Sequence, residues 1–370
     1  MKRTISYKVS DGCNLACSYC YERRRTGGLC RDYSTHAVSI LEKLEDYARK
    51  PGPLSLMLCL HGGEPLLMGV ESYSELCEGL LRINKLPEKR VALSIQTNGT
   101  LITKAWAKCF ARYKCLFDGN GIGISLDGDA YIQNYFRKTT SGESSYNMVL
   151  RGIDNLKAEG ISFGLLGVVT NPSLSRVNEI YKTMSELNPV VLKFVPCFDF
   201  LPNGELTSYS VTPLEFAAFL KKIFTLWIKS GISLNKSIVE PIFSCMLNLT
   251  GKKSPWCEYS YQKCEHFMLI NSTGSVGVCD NLPEYTDSPN VQYSDFESCF
   301  SYAPQEFLAF RELMDRECSN CSIKELCKGG CMGTRYNFYM RAASHLKNEY
   351  CQGKRQFFAD VKSIMDMLPN

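Results

Sequence analysis

The chain has 370 residues, of which 45% are hydrophobic and 22% charged, as in ordinary globular proteins of one large or two smaller domains. The net charge of +4 is small for this length and gives no support for a nucleic acid or an anionic membrane as a partner. The first residues, MKRTISYKVSDGCNL, carry two cations but no apolar run, so we expect neither a secretory signal nor a membrane span, and therefore a cytoplasmic protein.

Short apolar runs alternate with amphipathic segments in the first half of the chain. The runs are rich in Val, Ile and Leu on both faces, which is typical of buried parallel strands. One of the segments between them, residues 145–160, has helical periodicity and ends at a glycine. This alternation predicts βα units and an α/β sheet or barrel. The five predicted strands are residues 54–60, 91–98, 121–128, 162–170 and 190–197.

Polar groups follow several of these predicted strands. Parallel α/β folds carry their active sites at the carboxyl edge of the sheet, so these groups are candidates for one shared pocket. Asn-Gly and Asp-Gly also form turns without any further role, which is the alternative for each group taken alone. The groups are His61 to Glu64, Gln96 to Gly99, Ser125 to Gly128, and Thr170 with Asn171.

The pattern changes after a strong amphipathic helix predicted at residues 213–231, which begins with a threonine cap and a proline. Beyond about residue 235 the sequence is rich in cysteine and resembles loops, with a last helix predicted at about 354–368. We therefore predict two domains, residues 1–235 and 236–370.

Cysteine is unusually abundant, with 19 residues in a chain that has no export signal. In a reducing cytosol, clustered cysteines bind metal or perform redox chemistry more often than they form disulfides. Three of them, Cys13, Cys17 and Cys20, lie within eight residues and could bind three corners of an iron–sulfur cubane. A tetrahedral zinc site normally has four ligands, and no second pair lies nearby.

The spacing C-x-x-x-C-x-x-C, with Tyr19 before the last cysteine and GGEP at residues 62–65, resembles the signature of the radical S-adenosylmethionine superfamily. The resemblance implies a partial (β/α)6 TIM-like barrel with a 4Fe–4S cluster. One iron of that cluster is chelated by S-adenosylmethionine. Reduction, with flavodoxin or ferredoxin as the expected donor, then releases a 5′-deoxyadenosyl radical that takes a hydrogen atom from the substrate.

The same resemblance implies a set of cofactor contacts. Gly63 and Glu64 would face the methionine amino group, while Ser125 and Arg137 would hold the carboxylate and the ribose. Arg137 suits a carboxylate because guanidinium donates two parallel hydrogen bonds, although a solvated surface arginine is the alternative. Thr97 would line the ribose side and Tyr19 would pack near the adenine.

The C-terminal cysteines resemble the SPASM extension, which holds two auxiliary 4Fe–4S clusters and would bring the total to three. The spacing from Cys257 to Cys264 differs by one residue from that of the nearest relatives, and Cys299 is left over. The resemblance implies that Cys257, Cys264, Cys279 and Cys331 bind the first auxiliary cluster, and Cys318, Cys321, Cys327 and Cys351 the second.

The resemblance is strongest to two groups of anaerobic peptide- or protein-modifying enzymes. Sulfatase-maturing enzymes oxidise a cysteine or serine to formylglycine, and they have an aspartate at the position of Asp280, which would serve as a general base. They generally have glutamine where His61 lies and tyrosine where Glu22 lies, at positions that face the substrate.

The run HGGEPLL instead resembles maturases that form cyclophane cross-links in ribosomally made peptides. We therefore favour a peptide maturase that forms a cyclophane or thioether cross-link, with sulfatase maturation as the alternative. Only twelve residues precede Cys13, so a leader peptide would bind the catalytic body or a partner protein.

Two further classes are possible on the sequence alone. A non-enzymatic zinc-binding interaction protein would be colourless and would contain zinc instead of iron. A nucleic-acid-modifying radical enzyme has Arg23, Arg24 and Arg25 as its only support, and a solvated face explains that run as well.

Overall fold

The computed structural model describes residues 3–22, 37–231, 237–260 and 264–368. Its strands are β1 (Arg3–Ser10), β2 (Leu54–Gly62), β3 (Lys89–Thr97), β4 (Phe117–Ser125), β5 (Gly164–Val169), β6 (Val191–Pro196), β7 (Ile238–Val239), β8 (Phe267–Ile270) and β9 (Val276–Gly277). Its helices are α1 (Ala37–Arg49), α2 (Gly69–Asn84), α3 (Lys104–Arg112), α4 (Ala130–Phe136), α5 (Tyr146–Ala158), α6 (Val177–Glu186), α7 (Pro213–Lys229), α8 (Glu240–Leu249), α9 (Phe296–Ser301), α10 (Gln305–Cys318), α11 (Lys324–Cys327), α12 (Met332–Arg341) and α13 (Glu349–Asp366).

The described chain forms two compact units that are interleaved in sequence. The first unit comprises Met1–Leu126, Gln133–Gly164 and Glu265–Pro304, and the second comprises Asp127–Ile132, Leu165–Cys264 and Gln305–Asn370. The predicted boundary at residue 235 marks a change of sequence pattern, whereas the two units are defined by the compactness of the structure. The boundary therefore stays a prediction.

In the first unit the strand order is β4-β3-β2-β1-β8-β9. Neighbours from β4 to β8 run parallel and β9 is antiparallel to β8, so the predicted α/β class with a parallel sheet is confirmed. Leucines at alternate positions of β2, from Leu54 to Leu60, are buried against the helix layer, while Cys59 and His61 lie on the opposite face. In β1 the same alternation separates apolar residues from Ser6 and Lys8.

In the second unit the strand order is β7-β6-β5, and α13 packs along α7. The predicted cap of α7 is confirmed, since Thr212 Oγ1 accepts a hydrogen bond from Glu215 N and Glu215 Oε2 accepts one from Thr212 N. The two helices approach closely at Gly353, where a Cβ atom would lie 2.5 Å from the carbonyl oxygen of Pro213.

The sequence prediction was wrong in two places. The strand β1 was not predicted, because its polar residues alternate with apolar ones and leave no continuous apolar run of the kind that predicted the other strands. The region beyond residue 235 is mainly helical, with α8 and α10 to α13, whereas the cysteine-rich composition indicated loops. Within the described ranges, no helix combines the length and the apolar character needed to cross a bilayer.

Candidate active site

The loop that carries Cys13, Cys17 and Cys20 follows β1 directly. Its backbone pairs with the segment after α4: Ala16 N donates to Lys138 O at 2.7 Å, and Ser18 N donates to Phe136 O at 3.1 Å. These bonds hold the loop at the carboxyl edge of the first unit's sheet, where the sequence predicted that the polar groups after the strands form a shared pocket.

The glycines of the GGEP motif allow this loop to lie against the end of β2. Gly63 N donates to Ser10 O and Glu64 N donates to Gly12 O, each at 2.8 Å. A Cβ atom on Gly63 would lie 2.1 Å from Gly12 O, and Gly62 has a φ of 116° that favours glycine. The two glycines therefore have a local structural role, and the predicted contact of Gly63 with a methionine amino group stays a prediction.

We expect Gly63→Ala to displace the cysteine loop, because the added methyl group would meet backbone atoms that cannot rotate away. After anaerobic reconstitution the variant should bind less iron and cleave S-adenosylmethionine at least tenfold more slowly. Gly160→Ala is a control for glycine replacement without a steric clash: its φ of 64° disfavours alanine, but nothing lies within 4 Å of its Cβ position. Normal iron content and cleavage in Gly63→Ala would contradict this account of the motif.

Glu64 joins the ends of β2 and β3. Its side chain is buried and accepts three hydrogen bonds, from Leu66 N at 3.0 Å, from Thr97 Oγ1 at 2.6 Å and from Asn98 N at 2.8 Å. Burial raises the pKa of Glu64 to about 7, against the opposing effect of these three bonds. Glu64 and Thr97, both predicted to contact the cofactor, are thus bonded to each other, and a direct contact with the cofactor stays a prediction.

Asn98 belongs to the Gln96 to Gly99 group, for which the sequence predicts a place in a shared pocket or a turn. Its Nδ2 donates to Asn14 Oδ1 at 2.9 Å and lies 3.8 Å from Cys13 Sγ. Asn14 in turn donates to Thr100 Oγ1 at 2.8 Å. The amide therefore ties the cysteine loop to the end of β3. The Asn-Gly pair was interpreted as a possible turn, and the bonds of Asn98 add an anchoring role.

Arg137 lies beside the cysteine loop. It is only 8% exposed, which rules out the alternative of a solvated surface arginine, and its guanidinium lies over the ring of Tyr19 at 5.4 Å. Tyr19 also packs against Phe136, with 5.4 Å between ring centroids. At the end of β4, Ser125 Oγ accepts a hydrogen bond from Gln96 Nε2 at 3.2 Å. All six predicted cofactor residues thus belong to the first unit.

The environment of the Cys13 thiol suits a bound cation. Burial, the charge of Glu64 and the neighbouring cysteines raise the pKa of Cys13 to about 12. Iron binds thiolates and supplies the positive charge that such a site lacks, so the donor set fits a cluster.

The three predicted catalytic residues lie around Lys8, which the sequence analysis did not single out. Lys8 is 1% exposed, and its Nζ lies 2.7 Å from Glu22 Oε1 and 3.3 Å from Asp280 Oδ1. Ser6 Oγ donates to Asp280 Oδ2 at 2.8 Å. Ser6 and Lys8 share a face of β1 because they are two residues apart, and that polar alternation is a signal in the sequence that could have identified them.

His61 lies next to this group. It is the register partner of Lys8 in the parallel pair β1–β2, so the two side chains leave the sheet on the same face. Gly62 N donates to His61 Nδ1 at 2.8 Å, and a neutral imidazole that accepts at Nδ1 carries its proton on Nε2. The structure therefore brings together Glu22, His61 and Asp280, with Lys8 among them.

In the second unit, one cleft is lined by the four cysteines predicted to bind the second auxiliary cluster: Cys318, Cys321, Cys327 and Cys351. Cationic side chains, including Arg335 and Arg355, line the same cleft. Four thiols around one cleft fit a 4Fe–4S cluster.

The first auxiliary set is divided between the two units. Cys257 and Cys264 flank residues 261–263, which lie outside the described ranges, and Cys279 belongs to the first unit whereas Cys331 belongs to the second. This ligand set stays a prediction. Cys299, left over in the sequence analysis, is buried in α9.

In the described part of the chain, no three His, Cys, Asp or Glu side chains converge closely enough to chelate a single metal ion. Cluster ligands are arranged differently, because each thiolate binds a separate iron. The arginine run at residues 23–25 lies outside the described ranges.

Comparisons with known proteins point to one superfamily. A family model for the radical SAM superfamily matches residues 7–184. The cysteine-type anaerobic sulfatase-maturating enzyme of Clostridium perfringens (strain 13 / Type A) is 30% identical over 356 residues, which cover 95% of this chain and 93% of that protein. The serine-type anaerobic sulfatase-maturating enzyme of Bacteroides thetaiotaomicron is 26% identical over 381 residues, which cover 97% and 89% of the two chains.

Solved structures show the same similarity. Native anSMEcpe with bound AdoMet and the Cp18Cys peptide matches with a TM-score of 0.80 at 28% identity, covering 99% of this chain and 98% of that one. Streptococcus suis SuiB bound to S-adenosylmethionine matches with a TM-score of 0.62 at 16% identity, covering 90% and 74%, and is similar in fold alone.

A parallel α/β sheet whose first loop carries three clustered thiols, together with these matches, defines a radical SAM enzyme. Within that superfamily, the chain belongs to the same family as the anaerobic sulfatase-maturating enzymes. Membership implies a 4Fe–4S cluster and S-adenosylmethionine as cofactors, and it excludes the non-enzymatic zinc-binding protein.

Proposed function

We propose that this enzyme modifies a ribosomally synthesised peptide by joining two of its side chains in a cyclophane or thioether cross-link. The group formed by Lys8, Glu22, His61 and Asp280 carries the proposal, because it puts an ion-paired base and an imidazole on one face of the first unit's sheet. The sequence resemblance of HGGEPLL to cyclophane maturases supports the same choice.

The reaction removes two hydrogens from the peptide. When bound, the cofactors would supply the radical that takes one hydrogen atom, and a cluster held by the four cysteines of the second unit's cleft would supply an acceptor for the single electron left over. The second hydrogen leaves as a proton, and we assign Asp280 Oδ1 or Oδ2 as its acceptor. Lys8 and Ser6 orient that carboxylate through contacts of 3.3 and 2.8 Å. Glu22 and His61 bind the peptide beside it.

The proposal includes the cofactor contacts implied by the resemblance: Tyr19, Gly63, Glu64, Thr97, Ser125 and Arg137 for S-adenosylmethionine. It also includes three clusters, with the second auxiliary cluster supported by the four-cysteine cleft. A reduced flavodoxin or ferredoxin is the proposed electron donor.

Sulfatase maturation is the second candidate, and the comparisons favour it. The two sulfatase-maturating relatives match nearly the full length of this chain. Formylglycine formation also needs a base beside the substrate, so Asp280 would keep its role. The two candidates differ in what Glu22 and His61 contact.

The two candidates are separated by their products. The reconstituted enzyme is incubated anaerobically with a reductant, S-adenosylmethionine and either the Cp18Cys peptide or a short peptide encoded beside its gene. An aldehyde trapped by a hydrazide in the Cp18Cys peptide would establish sulfatase maturation and overturn the cross-link. Loss of two hydrogens from the encoded peptide, with a cross-link located by fragmentation, is the result that we expect.

For Asp280→Asn we expect S-adenosylmethionine cleavage without peptide to continue, while product formation falls by a factor of 10² to 10⁴, in line with typical general-base contributions. Asp287→Asn is a matched control on a more distant carboxylate, which accepts a hydrogen bond from Tyr302. Liquid chromatography with mass detection measures both products. A normal product yield from Asp280→Asn would rule out the base role.

A further inference from the structure

The four-cysteine cleft of the second unit contains a buried arginine. Arg335, on α12, is only 5% exposed. Its Nη1 lies 3.2 Å from Cys318 Sγ and 3.4 Å from Gly329 O, and its Nη2 lies 3.2 Å from Glu317 Oε2. The guanidinium is therefore directed at a predicted cluster ligand.

A buried guanidinium needs a negative partner in its own environment. The side chain of Glu317 is 51% exposed, so water weakens its attraction for Arg335. Cys318 lines the cleft with Arg335 and is only partly exposed, so water weakens its attraction for Arg335 less. The main electrostatic partner of Arg335 is thus the sulfur.

We infer that Arg335 raises the reduction potential of the iron–sulfur cluster in this cleft and so favours its acceptance of an electron. The inference rests on the proposed function, which assigns that cluster to Cys318, Cys321, Cys327 and Cys351. Reduction adds negative charge to the cluster, and a cation with an N–H directed at a ligand sulfur stabilises the reduced form.

A purely structural role is the competing explanation. Arg335 donates to Gly329 O, within the segment Lys328–Gly330, whose three residues all have positive φ and which connects Cys327 to Cys331. A structural role predicts loss of iron when Arg335 is replaced. It predicts no shift of potential with a definite sign when the iron is retained.

The test measures potentials by redox titration with electron paramagnetic resonance. Cys13, Cys17 and Cys20 are replaced by alanine throughout, so that auxiliary clusters alone contribute to the signal. We expect Arg335→Gln to lower the reduction potential of one cluster by at least 59 mV. For one electron, this corresponds to a tenfold change in the ratio of reduced to oxidised cluster. Glu317→Gln should shift the same cluster upwards, because it removes a negative charge beside Arg335.

Arg355→Gln is the matched control. The Nη2 atom of Arg355 lies 3.9 Å from Cys321 Sγ, but this side chain is exposed, so its shift should be smaller. An unchanged potential in iron-replete Arg335→Gln overturns the inference. If that variant loses its iron, an unchanged potential in Glu317→Gln overturns it instead.

Full iron content after replacing Cys318 and Cys321 by alanine would overturn the inference as well, because the cleft would then hold no cluster. Product formation is not used in any of these measurements. A failure of the cross-link proposal would therefore appear in the peptide assay and not in the titration.

Discussion

We expect the replacement of Cys13, Cys17 and Cys20 together by alanine to abolish the reductive cleavage of S-adenosylmethionine and to remove the iron of about one cluster. By the family resemblance, three thiolates on one loop would hold three irons and leave the fourth for the cofactor. With no thiolate left, the loop has no ligand for iron, while its backbone bonds to the segment after α4 do not depend on the cysteine side chains.

The measurement is 5′-deoxyadenosine formed under strong reductant, together with iron per chain. Cys77→Ala combined with Cys109→Ala is the matched control, since these thiols are buried in α2 and α3, outside the cysteine loop. The control should keep its iron and its cleavage activity. Continued cleavage by the triple variant would show that the loop does not hold the catalytic cluster.

Much of the fold could be predicted because the buried strands are apolar on both faces. The run at residues 54–60 became β2, and the threonine and proline before residue 214 fixed the start of α7. The strand β1 was missed for the opposite reason. Its Ser6 and Lys8 interrupt the apolar pattern, and the sequence alone does not show that their partners lie on a distant segment.

Those parts of the site that a short sequence motif specifies could be predicted. The hydrogen-bond partners of individual side chains could not, because they depend on how the chain folds. The thiol spacing predicted the cluster loop, and the position of Arg137 after Ser125 led to a buried arginine. Glu64 was expected to face the cofactor, yet its carboxylate accepts three bonds from the protein. Arg335 gave no signal in the sequence, because its partner is a sulfur 17 residues away.

The second large effect is expected from Lys8→Met. In the wild type one ammonium lies between two carboxylates, Glu22 and Asp280, and its removal leaves two negative charges with no cation between them. Loss of one partner from a buried ion pair costs about 3–5 kcal/mol of folding free energy. Product formation should fall along with stability, because Asp280 would lose its ion pair with Lys8 and, among its contacts with the described residues, keep the hydrogen bond from Ser6.

Two further variants separate the charge of Lys8 from its shape. Lys8→Arg keeps the cation and should retain more stability than Lys8→Met. Adding Glu22→Gln to Lys8→Met restores the original net charge of the group, so the double variant should regain part of the lost stability, as a double-mutant cycle would reveal. Chemical denaturation measures the stability and the peptide assay measures the product. Additive effects of Lys8→Met and Glu22→Gln on the free energy of unfolding would mean that Lys8 acts independently of Glu22. The ion pair between them would then contribute nothing to stability.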